Sequence, residues 1–242
     1  MAVAEERADG RGAEDFRTVF FQTGAISRAV GSSYVEIGST KVMVGVYGPH
    51  EADQRTEYTE EGQLTCTVRV CTFATPLRGK MGQSAAEKEL AVHIKTALAS
   101  AIRFETFPKA FLDVHCLVLK SGGSDLAALI CGASLAVADA GVALSGLVAA
   151  CAVSLTSGQT LLDPSLSETA NAEAGLTLAL LPRSEEVVGL VGSGAWGQMA
   201  SLQEALELAM GGCAQLEELM RETLLLDATK KLALDDKSSI KA

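Results

Sequence analysis

The chain has 242 residues, is 48% hydrophobic and carries a formal net charge of −10. That length holds one large domain or two small ones, with ample apolar material for a core. The acidic balance excludes a free-standing nucleic-acid binder that relies on overall basic charge, so any RNA contact must be local or shared with partners.

Residues 1–14 are polar and acidic, which predicts a flexible N-terminal arm and not a signal peptide. Short strands are expected at 19–22, 33–37 and 41–47, punctuated by Gly24, Gly31 and Gly38 and closed by Gly48-Pro49. Residues 50–62 are polar and charged, a surface loop. The β-branched alternation of 63–74 predicts an antiparallel-type strand. Residues 77–84 form a glycine-rich loop carrying Arg78 and Lys80. An amphipathic helix is expected over 87–103, with Leu90, Ile94, Ala97, Leu98 and Ala101 inward, followed by a strand at 110–119. The helix at 126–140 is apolar nearly all round, so burial on most sides is expected. Its apolar run, 126–137, is too short and too dotted with Gly and Ser to span a bilayer, and a soluble protein is expected.

A second half begins near residue 147. It predicts strands at 148–155, 175–181 and 186–191, then a long helix from Ser201 to about Leu226 with Leu202, Leu206, Met210, Cys213, Leu216, Leu219 and Met220 on one face. The tail from Lys230 is polar and expected to fray. The domain reading is thus an arm at 1–14, a first half at 15–146, a second at 147–228 and a tail at 229–242. Each half runs strands first and then a helix, an α+β plan rather than strict alternation.

The turn Gly122-Gly123-Ser124-Asp125 opens the buried helix. A glycine pair before a helix N-terminus is built like an anion cradle, yet Asp125 sits where an anion site wants a cation. The other reading is local: Ser124 is an N-cap and Asp125 complements the helix dipole. Asp163, Glu168 and Glu173 form an acidic series that could serve a metal or act as general acid, or form a solvated turn among Pro164, Ser165, Ser167 and Thr169. Arg69, Arg78 and Lys80 are the best local cations for a polyanion contact against the acidic background, the alternative being a solvated loop. Gly192-Ser193-Gly194-Ala195-Trp196-Gly197 matches G-x-G-x-x-G literally. No second strand with an acidic end follows the helix, so a tight strand–turn–helix connection is expected rather than a dinucleotide site. His50, His93 and His115 make no triad or ligand spacing. The six cysteines form no C-x-x-C pair and read as buried reduced thiols. No metal or cofactor is expected.

Other residues carry a resemblance. Asp9-Gly10-Arg11, Asp15-Phe16-Arg17, Gly24, Gly31-Ser32 with Tyr34 and Glu36, Gly38-Ser39-Thr40-Lys41-Val42 and Tyr47-Gly48-Pro49 resemble the N-terminal signature of the RNase PH family. The match continues in order through Phe107-Pro108, Gly122-Gly123-Ser124, Ala138-Asp139-Ala140-Gly141-Val142, Leu162-Asp163-Pro164 and Gly175-Leu176-Thr177, from about residue 7 to 226. The resemblance implies an α+β, RNase PH-like fold (ribosomal S5 domain 2-like), with two related β/α layers, that forms six-membered rings around an RNA channel. Active members degrade RNA from the 3′ end by phosphorolysis, releasing nucleoside diphosphates. In them an Arg that helps hold phosphate follows the Gly-Gly-Ser/Thr turn; Asp125 stands there in this chain. An essential Asp position falls on Thr169 and another acidic position on Gly175, while Asp163 persists.

These departures imply a non-catalytic ring subunit of the eukaryotic RNA exosome. Its expected partners are other RNase PH-like ring chains, S1/KH cap proteins, RNA threaded through the channel and an associated hydrolytic nuclease. Arg78 and Lys80, with Arg69, are the expected RNA contacts. The expected location is the nucleus, including the nucleolus, and the cytoplasm. The rival readings are an active phosphorolytic exoribonuclease and, on the glycine motif alone, a nucleotide-dependent oxidoreductase.

Overall fold

The computed structural model describes residue 7 and residues 9–51, 61–79, 82 and 84–239. Two sheets and four α-helices are built from these residues, the α+β architecture expected. The first sheet holds β1 (Val19–Thr23), β2 (Gly31–Ile37), β3 (Thr40–Glu51), β4 (Gln63–Val70) and β5 (Ala110–Lys120), in the order β1-β2-β3-β5-β4. β1, β2 and β3 are successive antiparallel neighbours, and β3 pairs antiparallel with β5. Helix α1 (Ala85–Ala99) follows β4, and α2 (Asp125–Asp139) follows β5. The second sheet holds β6 (Ala149–Thr156), β7 (Gln159–Leu162), β8 (Ala174–Leu181) and β9 (Glu186–Gly194), all antiparallel in the order β7-β6-β8-β9. A short helix α3 (Leu166–Asn171) precedes β8, and α4 (Met199–Ser239) closes the chain.

Several elements depart from the sequence expectations. β4 pairs parallel with β5, Thr65 opposite Asp113, rather than antiparallel. Alternation reports which faces are buried and is silent on direction. The crossover through α1 returns the chain to the same end of the sheet, and a strand that follows such a crossover runs parallel. β3 does not end at Tyr47 but continues to Glu51 past a register shift between Tyr47 and His50. A bulge there accommodates Pro49, which has no N–H to give a ladder. β4 stops at Val70, and α1 starts earlier than expected, at a capping box. Ser84 Oγ accepts from Glu87 N at 3.2 Å, and Glu87 Oε2 accepts from Ser84 N at 2.7 Å.

The buried-helix expectation is met. Every residue of α2 from Ala127 to Val137 is buried, because the helix lies between β2 and β3 on one side and β6 on the other. Two buried hydroxyls of this layer are paired: Ser33 Oγ donates to Gly132 O at 2.6 Å, and Val148 N donates to Ser134 Oγ at 2.9 Å. One apolar cluster runs through both halves, from Val35 and Val44 to Leu178 and Leu216. α4 packs on β6 and β8 and reaches β1. It does not fray at Lys230: Lys231 Nζ donates to Asp139 Oδ1 at 2.7 Å, Thr23 Oγ1 donates to Asp227 Oδ2 at 2.7 Å, and the helix runs to Ser239. All six cysteines are free, four of them buried, and burial pushes the Cys131 thiol up to about 11. Among the described residues no helix is long and apolar enough to cross a membrane.

Candidate functional site

The turn at 121–124 joins the end of β5 to the start of α2. Gly123 has φ +97°, and a Cβ there would meet the Pro164 carbonyl oxygen at 2.5 Å. A glycine is therefore needed both for the backbone and for the space. Ser124 does not cap the helix. Its φ is +56°, its side chain makes no cap hydrogen bond, and its hydroxyl donates to Pro164 O at 3.1 Å. The left-handed backbone at Ser124 swings the side chain away from the first-turn N–H groups. Asp125 turns back instead, and its carboxylate accepts from the Ser121 hydroxyl and from Gly122 N. Burial holds the Asp125 carboxyl above its usual range despite these donors.

The acidic series is not a solvated turn. Asp163 is 2% exposed and sits at φ +46°. Arg17 grips it with Nε to Oδ2 at 2.8 Å and a second nitrogen to Oδ1 at 2.6 Å, while the Arg17 backbone N donates to Oδ2 at 3.1 Å. The same guanidinium donates to the carbonyls of Gly122 at 2.8 Å and Gly123 at 3.2 Å. Asp163 therefore holds the glycine turn through Arg17, with both of its oxygens engaged. Glu168 caps α3 in a box with Ser165 and accepts a bidentate pair from Arg7 at 2.8 and 2.9 Å. That pairing holds the Glu168 carboxyl down at about 2. Arg7 also donates to Leu162 O at 3.0 Å and Asp163 O at 3.2 Å, so the expected flexible arm is anchored at this residue. Only Glu173 of the series is exposed. The arginines lie 146 and 161 residues from the carboxylates they hold, which is why local composition pointed to a turn.

A cleft of about 360 Å³ opens where α2, α3, β6, β8 and β9 meet. Ser124, Asp125, Ser154, Thr169, Glu173, Gly175, Thr177 and Ser193 line it with Pro164 and several apolar residues. The structure thus brings Ser124 and Asp125 of the glycine turn together with Thr169 and Gly175, although 44 to 51 positions separate them. Among the described residues no Lys, Arg or His lines the cleft. Gly122 and Gly123 lie behind it, held by Arg17, and Asp163 is buried there too. Thr169 offers only a hydroxyl, which donates to Ser165 O at 2.9 Å.

Ser154 was missed from sequence, and Thr177 and Ser193 were met only within the Gly175-Leu176-Thr177 and glycine motifs, not as site residues. Ser154 carries a faint signal as one of two hydroxyls, with Thr156, at the end of a strand that is otherwise apolar. Arg69, on edge strand β4, and Arg78, in the loop beyond it, are exposed and lie outside the cleft. Lys80 falls outside the described residues. Gly192, Ser193 and Gly194 end β9, and Ala195 N donates to Glu173 O at 3.3 Å. The glycine motif is thus a strand end and a short connection into α4.

Two family models match in sequence: "3′ exoribonuclease family, domain 1" over residues 15–143 and "domain 2" over residues 146–212. The chain belongs to the 3′ exoribonuclease, or RNase PH, family. Among curated relatives of this family it is 39% identical to the exosome complex component RRP41-like of Arabidopsis thaliana, over 92% of this chain and 86% of that one. It is 38% identical to the human exosome complex component MTR3, over 95% and 90%. A solved structure, the Archaeoglobus fulgidus exosome with RNA bound to the active site, superposes with a TM-score of 0.77 at 24% identity, covering 88% of this chain and 92% of that one. The RNase PH-like fold expected from sequence is therefore the fold of this chain.

Proposed function

We propose that this chain is a non-catalytic ring component of an RNA exosome, of the MTR3 type. It would support 3′-to-5′ RNA processing and degradation, including ribosomal RNA processing and messenger RNA turnover, by helping thread RNA to an associated hydrolytic nuclease. One observation carries the reading. At the position implied for the phosphate-holding arginine stands Asp125, in a cleft that no cation lines among the described residues. A unit-charge pair about 4 Å apart at an effective dielectric of 20 is worth roughly 4 kcal/mol. Exchanging the cation for a carboxylate turns that attraction into repulsion. Thr169 and Gly175 also leave the cleft without the carboxylates the resemblance implies for chemistry, and Asp163 is committed to Arg17.

The partners that fit are other RNase PH-like ring chains, S1/KH caps and RNA in a shared channel. Exposed Arg69 and Arg78, with Lys80, are the cations offered to RNA. The site of action that goes with this role is the nucleus, with the nucleolus, and the cytoplasm. The test is RNA incubated with the purified protein in phosphate buffer, with nucleoside diphosphates measured. None should be released by the wild type or by Asp125→Arg, since the variant still lacks a carboxylate at Thr169. Diphosphate release by the wild type would establish the rival, phosphorolytic reading.

A further inference from the structure

The floor of the cleft is a cross-strand row. Ser154 on β6 faces Gly175 on β8, and Gly175 faces Ser193 on β9. Residues directly opposite on antiparallel strands point to the same face. Gly175 puts no side chain between the two hydroxyls, and a Cβ there would approach Ser193 Oγ at 3.3 Å. Ser154 is 1% exposed, and its Oγ has no hydrogen-bond partner among the described residues. A buried hydroxyl left unpaired in a polar cleft points to a ligand that completes it. Asp125 lines the roof, at the start of α2, and Glu173 the rim. The nearby guanidinium of Arg17 is already committed to Asp163 and two carbonyls, so it does not neutralise Asp125 by direct pairing.

We propose that this cleft is a binding site for a cationic hydrogen-bond donor, an ammonium or guanidinium group, seated between the Asp125 carboxylate and the Ser154 and Ser193 hydroxyls. The substitutions that make the cleft hostile to phosphate make it complementary to the opposite charge. Such a group brings several N–H donors and no acceptor, matching a lining of two carboxylates, Asp125 and Glu173, and hydroxyl lone pairs. It would also favour the ionised form of Asp125, which burial alone disfavours. Two sources present this chemistry: a free alkylamine, or a lysine or arginine side chain of a neighbouring chain.

The experiment is calorimetric titration of the full chain, alone and in its purified complex, with putrescine, guanidinium and inorganic phosphate. Saturable binding of putrescine or guanidinium is expected for the isolated chain. Asp125→Asn should weaken it at least tenfold and Ser154→Ala severalfold, with melting temperatures recorded to confirm that both variants fold. Binding in both isolated chain and complex assigns a free amine. Binding to the isolated chain that disappears in the complex assigns a neighbour's basic side chain. Absence of saturable binding to the isolated chain, or equal binding by Asp125→Asn, overturns the proposal. The inference shares with the proposed function the premise that Asp125 repels phosphate, and the phosphate arm separates the two. Phosphate binding would defeat both, whereas failure of the amines alone leaves the non-catalytic reading intact.

Discussion

At position 123 two constraints coincide: a φ of +97° and a wall formed by the Pro164 carbonyl oxygen. Gly141 shares the first constraint, with φ +74°, but faces open space. Gly141→Ala should therefore cost about 1 kcal/mol from backbone strain, and Gly123→Ala clearly more, because the segment after Asp163 must also shift. Urea denaturation of the pair checks the order, and equal losses would remove the close approach from the explanation. Asp163 illustrates a different residue-scale effect. In Asp163→Asn the buried Arg17 guanidinium loses its counter-charge, and breaking a buried pair in this way costs about 3–5 kcal/mol. The same variant should loosen the 121–124 turn, read as faster amide exchange at Gly122 and Gly123.

Among the elements, α3 depends most on a distant partner. It has six residues, too few to be stable alone, and is held by its capping box and by Arg7. The Glu168 carboxyl titrates near 2 in the folded chain, against about 4.3 unfolded. Because the folded value is the lower, the pairing stabilises the protein fully above about pH 5, and that contribution is lost as pH falls toward 2. Wild type should exceed Glu168→Gln in stability at neutral pH, and the gap should shrink through that window. A gap independent of pH would mean that packing, not charge, anchors α3. The β4–α1–β5 crossover makes the complementary point. Its strand could be read from the alternation of 63–70, but its parallel direction follows from the helix that separates it from β5.

As a whole molecule, the chain leaves many large apolar side chains in the open, among them Phe73, Leu77, Val187, Leu190 and Leu226. Exposure of this kind is what a subunit of a larger assembly shows when taken alone. Affinity purification from the protein's own cells should recover several different RNase PH-like chains and S1/KH proteins in near one-to-one ratio. A homo-hexamer without other chains would overturn the proposed role. Arg69 and Arg78 are exposed, and the Arg69 charge helps hold the Glu87 carboxyl below its usual range. In the assembled complex, Arg78→Ala should weaken RNA binding irrespective of base sequence and lower the salt slope by about 1.

What the sequence determined by itself was whatever depends on local pattern. The buried helix α2 followed from an apolar run with no polar face, most strands from alternation bounded by glycine, and the family from motifs read in order. The resemblance pointed to Asp125 as a phosphate position and to Thr169 and Gly175 as positions of a catalytic segment, and the folded chain places all three on one cleft. Only the tertiary structure decided what depends on partners remote in the chain. It placed Arg7 and Arg17 on the acidic segment, took Ser124 away from the helix cap, extended α4 through Lys231 and Asp139, and set Ser154 across from Gly175. A carboxylate's neighbours in sequence report only whether a turn is polar. Whether that carboxylate is solvated, clamped or exposed in a cleft depends on a guanidinium some 150 residues away, and on the sheets that bring the two together.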